Sequence, residues 1–284
     1  MTAISWGKPM VSFEDLGIEP LLVEALKQQG IVEPFEVQRE SIPDAMLGRD
    51  VCCRAPTGSG KTLAFGLPLL AMTEEAEPSR PTSLILTPTR ELAEQIFNVL
   101  DPLAYELQLY VQAMYGGSSY QKQYRALERG LDVLVACPGR LIDMMERGAV
   151  SLDDVGIVVL DEADRMLDMG FIRDIEKVLK LLPNKRQNLL FSATMPKSIA
   201  KLAGSFLNNA VMVDVSPKEM TVDRIEQKIM FLRKADKRRL LVQLIKDERV
   251  KRGIVFTRTK HGANRLVKQL DQSNIAAAAI HGNK

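Results

Sequence analysis

An α/β fold built on a mainly parallel sheet is predicted by three observations in the 284-residue sequence. Short runs of β-branched and apolar residues recur along it, amphipathic stretches of helical period lie between them, and a glycine-rich segment ending in Gly60-Lys61-Thr62 follows the first run. Strands buried on both faces read as short apolar runs, and parallel pairing needs the crossovers that intervening helices supply. Ligands in such sheets bind beyond the carboxyl ends of the strands.

Taken in order, strands are expected over Asp50–Arg54, Leu84–Thr87, Leu131–Ala136, Ile157–Leu160 and Asn188–Phe191. Helices are expected over Arg90–Leu100, with Leu92, Ile96, Val99 and Leu100 on one side, and over Ile172–Leu182, with Ile175, Val178, Leu181 and Leu182 together. The segment 211–222 contains Pro217, mixes polarity and has no helical period, which places a linker near Ser216–Thr221. A second alternation follows: strand Ile225–Leu232, helix Ala235–Glu248, strand Gly253–Thr257, helix Lys260–Gln272 and strand Ile275–Ile280. The expected organisation is a first domain over 1–213, a linker over 214–222 and half of a second α/β domain over 223–284.

Composition narrows the classes. Hydrophobic residues make up 46% of the chain and charged residues 26%, which excludes general disorder. The apolar stretch around Leu63 to Met72 is far short of a membrane span, and no basic start joined to an apolar run marks a secretory leader. Cys52, Cys53 and Cys137 suit a reducing cytosol better than a disulfide framework, so a cytoplasmic protein is expected. With only His261 and His281 as imidazoles and no Cys-x-x-Cys spacing, a structural zinc site is not expected. The net charge of +2 divides unevenly. Residues 1–213 hold 21 basic and 28 acidic side chains, whereas residues 214–284 hold 17 and 8. The basic segment, which includes Arg233, Lys234, Lys237, Arg238, Arg239, Lys246, Arg249, Lys251 and Arg252, is either a polyanion contact or a solvated face.

Chemistry begins at Ala55-Pro56-Thr57-Gly58-Ser59-Gly60-Lys61-Thr62, which fits the phosphate-loop pattern except that Ala55 replaces its first glycine. Gly58 and Gly60 allow successive N–H groups to turn toward phosphate oxygens at a helix N-terminus. Lys61 supplies a cation for the β- and γ-phosphates, and the Thr62 hydroxyl is a ligand type for Mg²⁺. A glycine-rich turn with a surface lysine is the plainer alternative. Asp161 ends the apolar run Ile157–Leu160, where a phosphate-loop fold needs a second contact to Mg²⁺, and Glu162 is then placed to orient and deprotonate water. Asp161 as a simple helix cap is the competing reading.

Asp161-Glu162-Ala163-Asp164 resembles the motif of the DEAD-box RNA helicases, and further motifs follow in that family's order. Gly30, Pro34, Val37 and Gln38 resemble the Q motif, with Phe13 seventeen residues before Gly30. Pro88–Leu92 resembles motif Ia, Gly116-Gly117 the GG motif, Pro138-Gly139-Arg140 motif Ib, Ser192-Ala193-Thr194 motif III and Ile254–Thr257 motif IV. Asp168–Phe171 and His281–Lys284 are most similar to the bacterial RhlE branch.

The resemblance implies a RecA-like ATP-binding domain joined to part of a second RecA-like domain, with ATP and Mg²⁺ as cofactors and RNA as partner. It implies that Gln38 reads the adenine edge, that Phe13 stacks on the adenine ring, and that Ser192 and Thr194 bond toward Asp164 to couple nucleotide state to domain closure. Thr89, Arg90, Gly117, Gly139 and Arg140 match positions that grip the sugar-phosphate backbone of one RNA strand. Aromatic residues are 5% of the chain, which agrees with backbone rather than base-stacking recognition.

Three departures matter. Phe35 stands where the Q motif commonly has Thr or Ser, and Cys137 where motif Ib usually has Thr. Nothing in the sequence matches motif V or the family's His-Arg-x-Gly-Arg-x-x-Arg motif, whose arginines reach the γ-phosphate. An arginine supplied there is worth roughly 10³–10⁵ in rate in related enzymes, so the 284-residue chain is expected to bind ATP yet hydrolyse it poorly. Alternatives to an RNA helicase are a DNA-directed helicase and an ATP-dependent RNA clamp without processive unwinding.

Overall fold

Seven short strands, each apolar enough to be buried, pair side by side in one parallel sheet: β1 (Val51–Arg54), β2 (Ser83–Leu86), β3 (Val111–Met114), β4 (Val133–Ala136), β5 (Ile157–Leu160), β6 (Gln187–Ser192) and β7 (Val211–Asp214). The spatial order is β3-β4-β2-β5-β6-β1-β7. This computed structural model describes residues 11–216, 228–247 and 250–282. The chain divides into two compact units, Met1–Glu219 and Met220–Lys284.

Alternation along the strands sends side chains to two separate cores. Ile85 and Val159 join Cys53 on one face, whereas Leu84, Leu86 and Val158 lie on the other with Cys52. The first face is covered by α2 (Glu36–Met46), α3 (Lys61–Met72) and α4 (Arg90–Glu106), which follow α1 (Pro20–Gln28), and it includes an edge-to-face Phe65–Phe191 pair with centroids 5.3 Å apart. Against the second face lie residues of α5 (Tyr120–Glu128), α6 (Pro138–Glu146), α7 (Ala163–Asp168), α8 (Ile172–Leu179) and α9 (Lys197–Phe206).

The expected strands form with shifted starts, for a physical reason. Asp50 and Asp132, expected at the starts of strands as the first residue of 50–54 and the second of 131–136, are buried clasps. Asp50 accepts from the amides of Asn188 (2.8 Å) and Asn208 (2.7 Å) and from Asn188 Nδ2 (2.9 Å); Asp132 accepts from the amides of Ala76 (2.6 Å) and Tyr110 (2.7 Å). Each carboxylate satisfies loop N–H groups at the amino ends of the strands. The sequence reading has no strand at β3 and takes β7 into an irregular segment. Both are sheet edges, and in β7 Val213 alone is buried, so neither carries a central strand's continuous apolar run. The helix expected to reach Leu182 stops at Leu179, four residues before Pro183, and Leu181 is exposed.

The second unit departs further from expectation. Its helices form, α10 at Lys237–Asp247 after a 3₁₀ turn at Lys234–Asp236, and α11 at Lys260–Asp271 capped by Thr259, whose hydroxyl accepts from the Gly262 amide. The strands expected over 253–257 and 275–280, and the described part of 225–232, form no regular element and have no ladder partner among the described residues. Unpaired, they leave Phe231, Ile254, Phe256 and Ile280 uncovered. Among its described residues this unit thus shows two helices and no paired strand. The expected linker begins inside β7 at Asp214, and its positions from 217 onward lie outside the described residues. Among the described residues no helix is long and apolar enough to cross a membrane.

Candidate active site

Each chemistry-bearing segment begins where a strand ends, so the sheet order sets the layout. The carboxyl ends of β5, β6 and β1, adjacent in the sheet, deliver Asp161, Ser192 and Ala55; those of β3, β4 and β2 deliver Gly116-Gly117, Pro138-Gly139-Arg140 and Thr89-Arg90. One side of the sheet top thus holds the phosphate-loop group and the other the glycine-turn group.

The loop 55–60 is fixed at its base by the Ala55 amide, which donates to the Ser192 carbonyl at 3.0 Å. Gly58 (φ +81°) and Gly60 (φ +91°) take the left-handed conformation that lets the loop reverse into α3. Lys61 opens that helix, buried, with Nζ donating to the Ala55 carbonyl at 2.9 Å. The Ser59 hydroxyl is buried without a hydrogen-bond partner, and Thr62 is half-buried in the first turn. Pro56 and Thr57 are exposed at the loop tip.

Gln38 ties this loop to α2. Its Oε1 accepts from the Phe35 amide at 2.8 Å and its Nε2 donates to the Gly60 carbonyl at 3.0 Å, which leaves one donor and one acceptor site of the amide free. Phe13 is 1% exposed, packed in the core beneath α1, so the ring expected to stack on adenine presents no face to a ligand. The exposed ring beside Gln38 and Gly60 is that of Phe35, a residue the sequence reading treated as a departure.

At the end of β5, Asp161 is 3% exposed. Burial pushes its carboxyl up to about 7, against the opposing pull of the Lys61 cation, and its Oδ1 accepts from the Glu162 amide at 2.9 Å. Glu162 is held in the left-handed region at φ +51°, costly for a non-glycine residue and a mark of a functionally constrained turn. Its Oε2 is paired with Arg165 Nη1 at 3.1 Å. Sequence reasoning did not weigh Arg165, although an acid and an arginine three positions apart at a helix start is a readable spacing.

Asp164, Ser192 and Thr194 meet. The Asp164 amide donates to Ser192 Oγ at 3.2 Å, and Asp164 Oδ2 accepts from Thr194 Oγ1 at 2.7 Å and from the Thr194 amide at 2.9 Å. Burial raises the Asp164 carboxyl, but the bonds from Thr194, Ser192 and the neighbouring amides outweigh it and hold the group below the usual carboxylate range.

The glycine-turn group is less free than its sequence implies. Thr89 caps α4, its hydroxyl accepting from the Leu92 amide at 3.2 Å, and exposed Arg90 is paired with Glu91 at 2.8 Å. Gly117 (φ +87°) turns the chain after β3, and Gly139 has open space where a side chain would lie. Arg140 is buried, with Nη1 donating to Gln123 Oε1 at 2.7 Å. Burial pushes the Cys137 thiol up to about 11, which leaves it an inert apolar neighbour of this group.

Comparison with known proteins accords with this layout. A family model described as DEAD/DEAH box helicase matches residues 35–202. The chain is 39% identical over 274 residues to the RNA helicase CrhR of Synechocystis, covering 96% of this chain and 55% of that protein. It is 38% identical over 274 residues to the ATP-dependent RNA helicase CshA of Listeria monocytogenes, covering 96% and 52%. A crystal structure of a DEAD box protein from the hyperthermophile Methanococcus jannaschii superposes with a TM-score of 0.68 at 33% identity, covering 96% of this chain and 73% of that one. The chain spans about half the length of the curated relatives it matches.

Proposed function

The chain belongs to the DEAD/DEAH box helicase family, and from that premise we propose that it carries the ATP-binding part of an RNA-dependent ATPase that separates short RNA duplexes. The observation that supports this best is the division of the sheet top. One set of strand ends presents a phosphate loop and carboxylates, the neighbouring set presents glycine turns and the exposed Arg90, and β2 and β5 lie next to each other where the sets meet. ATP and RNA would then bind along one rim of a single sheet, within reach of mutual influence.

The loop suits a triphosphate. Its glycines supply a backbone concavity, the buried Ser59 hydroxyl has no partner without a ligand, and Lys61 gives up only a carbonyl contact to reach phosphate oxygens, a charge-assisted exchange. The residues also suit Mg²⁺. Thr62 and Asp161 offer one hydroxyl and one carboxylate, and no cluster of three His, Cys, Asp or Glu able to hold a metal exists among the described residues. A cation held by one or two side chains plus the nucleotide's own phosphates is the usual arrangement for Mg²⁺, which would neutralise the charge developing on the phosphates.

Phe35 offers its exposed ring face to the adenine, and Gln38, buried beside that ring, keeps one donor and one acceptor that would meet the base edge if the Phe35 ring shifted to admit the base. Glu162, released from Arg165, takes the proton of the attacking water. Asp164, bonded across to Thr194 and Ser192, carries the change at the phosphates from α7 to the end of β6. The sequence of 223–284 resembles part of a second RecA-like unit, and with no match to the family's arginine motif in these 284 residues, this polypeptide by itself would turn ATP over slowly. In a cell the protein works on RNA in the cytoplasm.

ATPase assays with a single-stranded RNA and the DNA of the same sequence test the reading. Stimulation by RNA alone supports it. Equal stimulation by DNA turns the reading to a DNA-directed enzyme, and RNA remodelling that survives Glu162→Gln turns it to a clamp.

A further inference from the structure

We infer that Tyr120 is a positioning residue for the glycine turn at 115–118, and hence for RNA-backbone binding; the inference rests on the function proposed above. The observation behind it is the placement of Arg140. Its guanidinium carbon lies 4.1 Å from the centroid of the Tyr120 ring, within cation–π range. From there Nη1 donates to Gln123 Oε1 at 2.7 Å, and Nη1 and Nη2 reach the Ser118 carbonyl at 3.4 and 3.5 Å. Arg140 therefore lies under the turn, inside the protein.

This placement gives the turn its polarity. The Tyr115 carbonyl accepts from Ser118 Oγ at 2.8 Å and from Gln123 Nε2 at 3.4 Å, while the Ser118 carbonyl is taken by Arg140. Gln123 also donates to Ser118 Oγ. The acceptors of Tyr115 and Ser118 are thus occupied by α5 and α6, whereas no acceptor among the described residues takes the amide of Gly116 or Gly117. A turn whose two outer carbonyls, those of Tyr115 and Ser118, are held by α5 and α6 while its glycine amides are unpaired is biased toward an anion such as a backbone phosphate. The carboxylates bonded to this layer are themselves occupied: Asp143 accepts from the Tyr120 hydroxyl and from Arg147 Nε at 2.8 Å, and Glu94 accepts from the Tyr115 hydroxyl.

Tyr120 keeps the layer in register. Its hydroxyl is fixed by Asp143, its ring meets Tyr124 with centroids 6.1 Å apart, and the guanidinium carbon of Arg147 lies 4.7 Å from its centroid. Without the ring, Arg140 loses the surface that confines it beneath Ser118, and the Ser118 carbonyl is no longer held there. Tyr120 acts on RNA through Arg140 and the turn, without contact to the nucleotide loop.

The test is binding of a fluorescein-labelled oligouridylate, with and without ATP, to the 284-residue chain and to Tyr120→Leu, Tyr120→Phe and Gln123→Leu variants. Alongside are measured affinity for a fluorescent ATP analogue and the thermal midpoint. Tyr120→Leu is expected to weaken RNA binding by about threefold to tenfold while ATP affinity and midpoint hold, and Tyr120→Phe, which keeps the ring, to restore most of it. Gln123→Leu, which removes the relay by another route, is expected to weaken RNA binding similarly and decides the matter if Tyr120→Leu fails to fold. RNA binding unchanged in both Leu variants overturns the inference, as does a Phe variant as weak as Tyr120→Leu or a parallel fall in ATP affinity. A wild-type chain that binds no RNA overturns the proposed function itself.

Discussion

Replacing Gly60 by alanine separates two properties of the phosphate loop that a comparison with Gly58→Ala can resolve. Both glycines sit at positive φ, +91° and +81°, so each substitution carries a strain of about 1–2 kcal/mol. At Gly58 nothing lies within 4 Å of the added Cβ, and strain is the whole cost. At Gly60 the Cβ would fall 2.6 Å from Gln38 Nε2 and 2.6 Å from Phe35 Cδ2. Nε2 ends the Gln38 side chain and Cδ2 is an edge atom of the exposed Phe35 ring, so the clash is relieved by driving Gln38 and Phe35 away from the loop. The Gln38–Gly60 bond is then lost, at about 1 kcal/mol, which brings Gly60→Ala to about 2–3 kcal/mol in total. Urea unfolding should show that larger loss. Competition of ATP and GTP against a fluorescent adenine nucleotide should show the preference for ATP falling about tenfold in Gly60→Ala and little in Gly58→Ala. Equal effects of the two substitutions, or an unchanged ATP preference in Gly60→Ala, would refute the assignment of Gln38 and Phe35 to the base.

Glu162→Gln should abolish turnover while leaving ATP affinity within about twofold, since the side chain is given the proton-accepting role and not a binding one; rapid-quench hydrolysis beside equilibrium titration checks this. A double-mutant cycle of Asp164→Ala with Thr194→Val should show a coupling of about 0.5–1 kcal/mol, the range of a charge-assisted bond discounted for partial exposure. Additive effects would remove the link between α7 and the end of β6. Because the folded Asp164 carboxyl is depressed, its contribution is fully present above the unfolded carboxylate value and is lost as pH falls through the folded value. Denaturation at pH 6 and in the acid range should therefore show a smaller acid loss for Asp164→Ala than for wild type. Extending the chain through the family's arginine motif should raise RNA-stimulated turnover by roughly 10³-fold or more; equal turnover of the two lengths contradicts the role given to those arginines.

How far the sequence carries depends on burial. β5, with all four residues buried, forms over the expected residues, whereas edge strand β7 mixes exposed and buried positions and gives no run to read. Strand starts slip where a buried aspartate, Asp50 or Asp132, does a loop's hydrogen bonding, because its partners lie far away in sequence. In the second unit the apolar runs are legible, yet a strand also needs a neighbour, and pairing is not written in one segment. The loop at 55–62 and the carboxylates at 161–164 are local patterns and can be read directly. The burial of Phe13, the exposure of Phe35, the Arg165 partner of Glu162 and the internal placement of Arg140 depend on tertiary packing.

Equilibrium titration of the 284-residue chain with a fluorescent ATP analogue in Mg²⁺, compared with Lys61→Ala and competed by ATP and GTP, tests most directly whether the ends of β1, β5 and β6 form an adenine-nucleotide site. Saturable binding displaced by ATP but not by GTP, and lost in Lys61→Ala, is the result predicted here. Binding that survives Lys61→Ala, or that GTP displaces as well as ATP does, would contradict it.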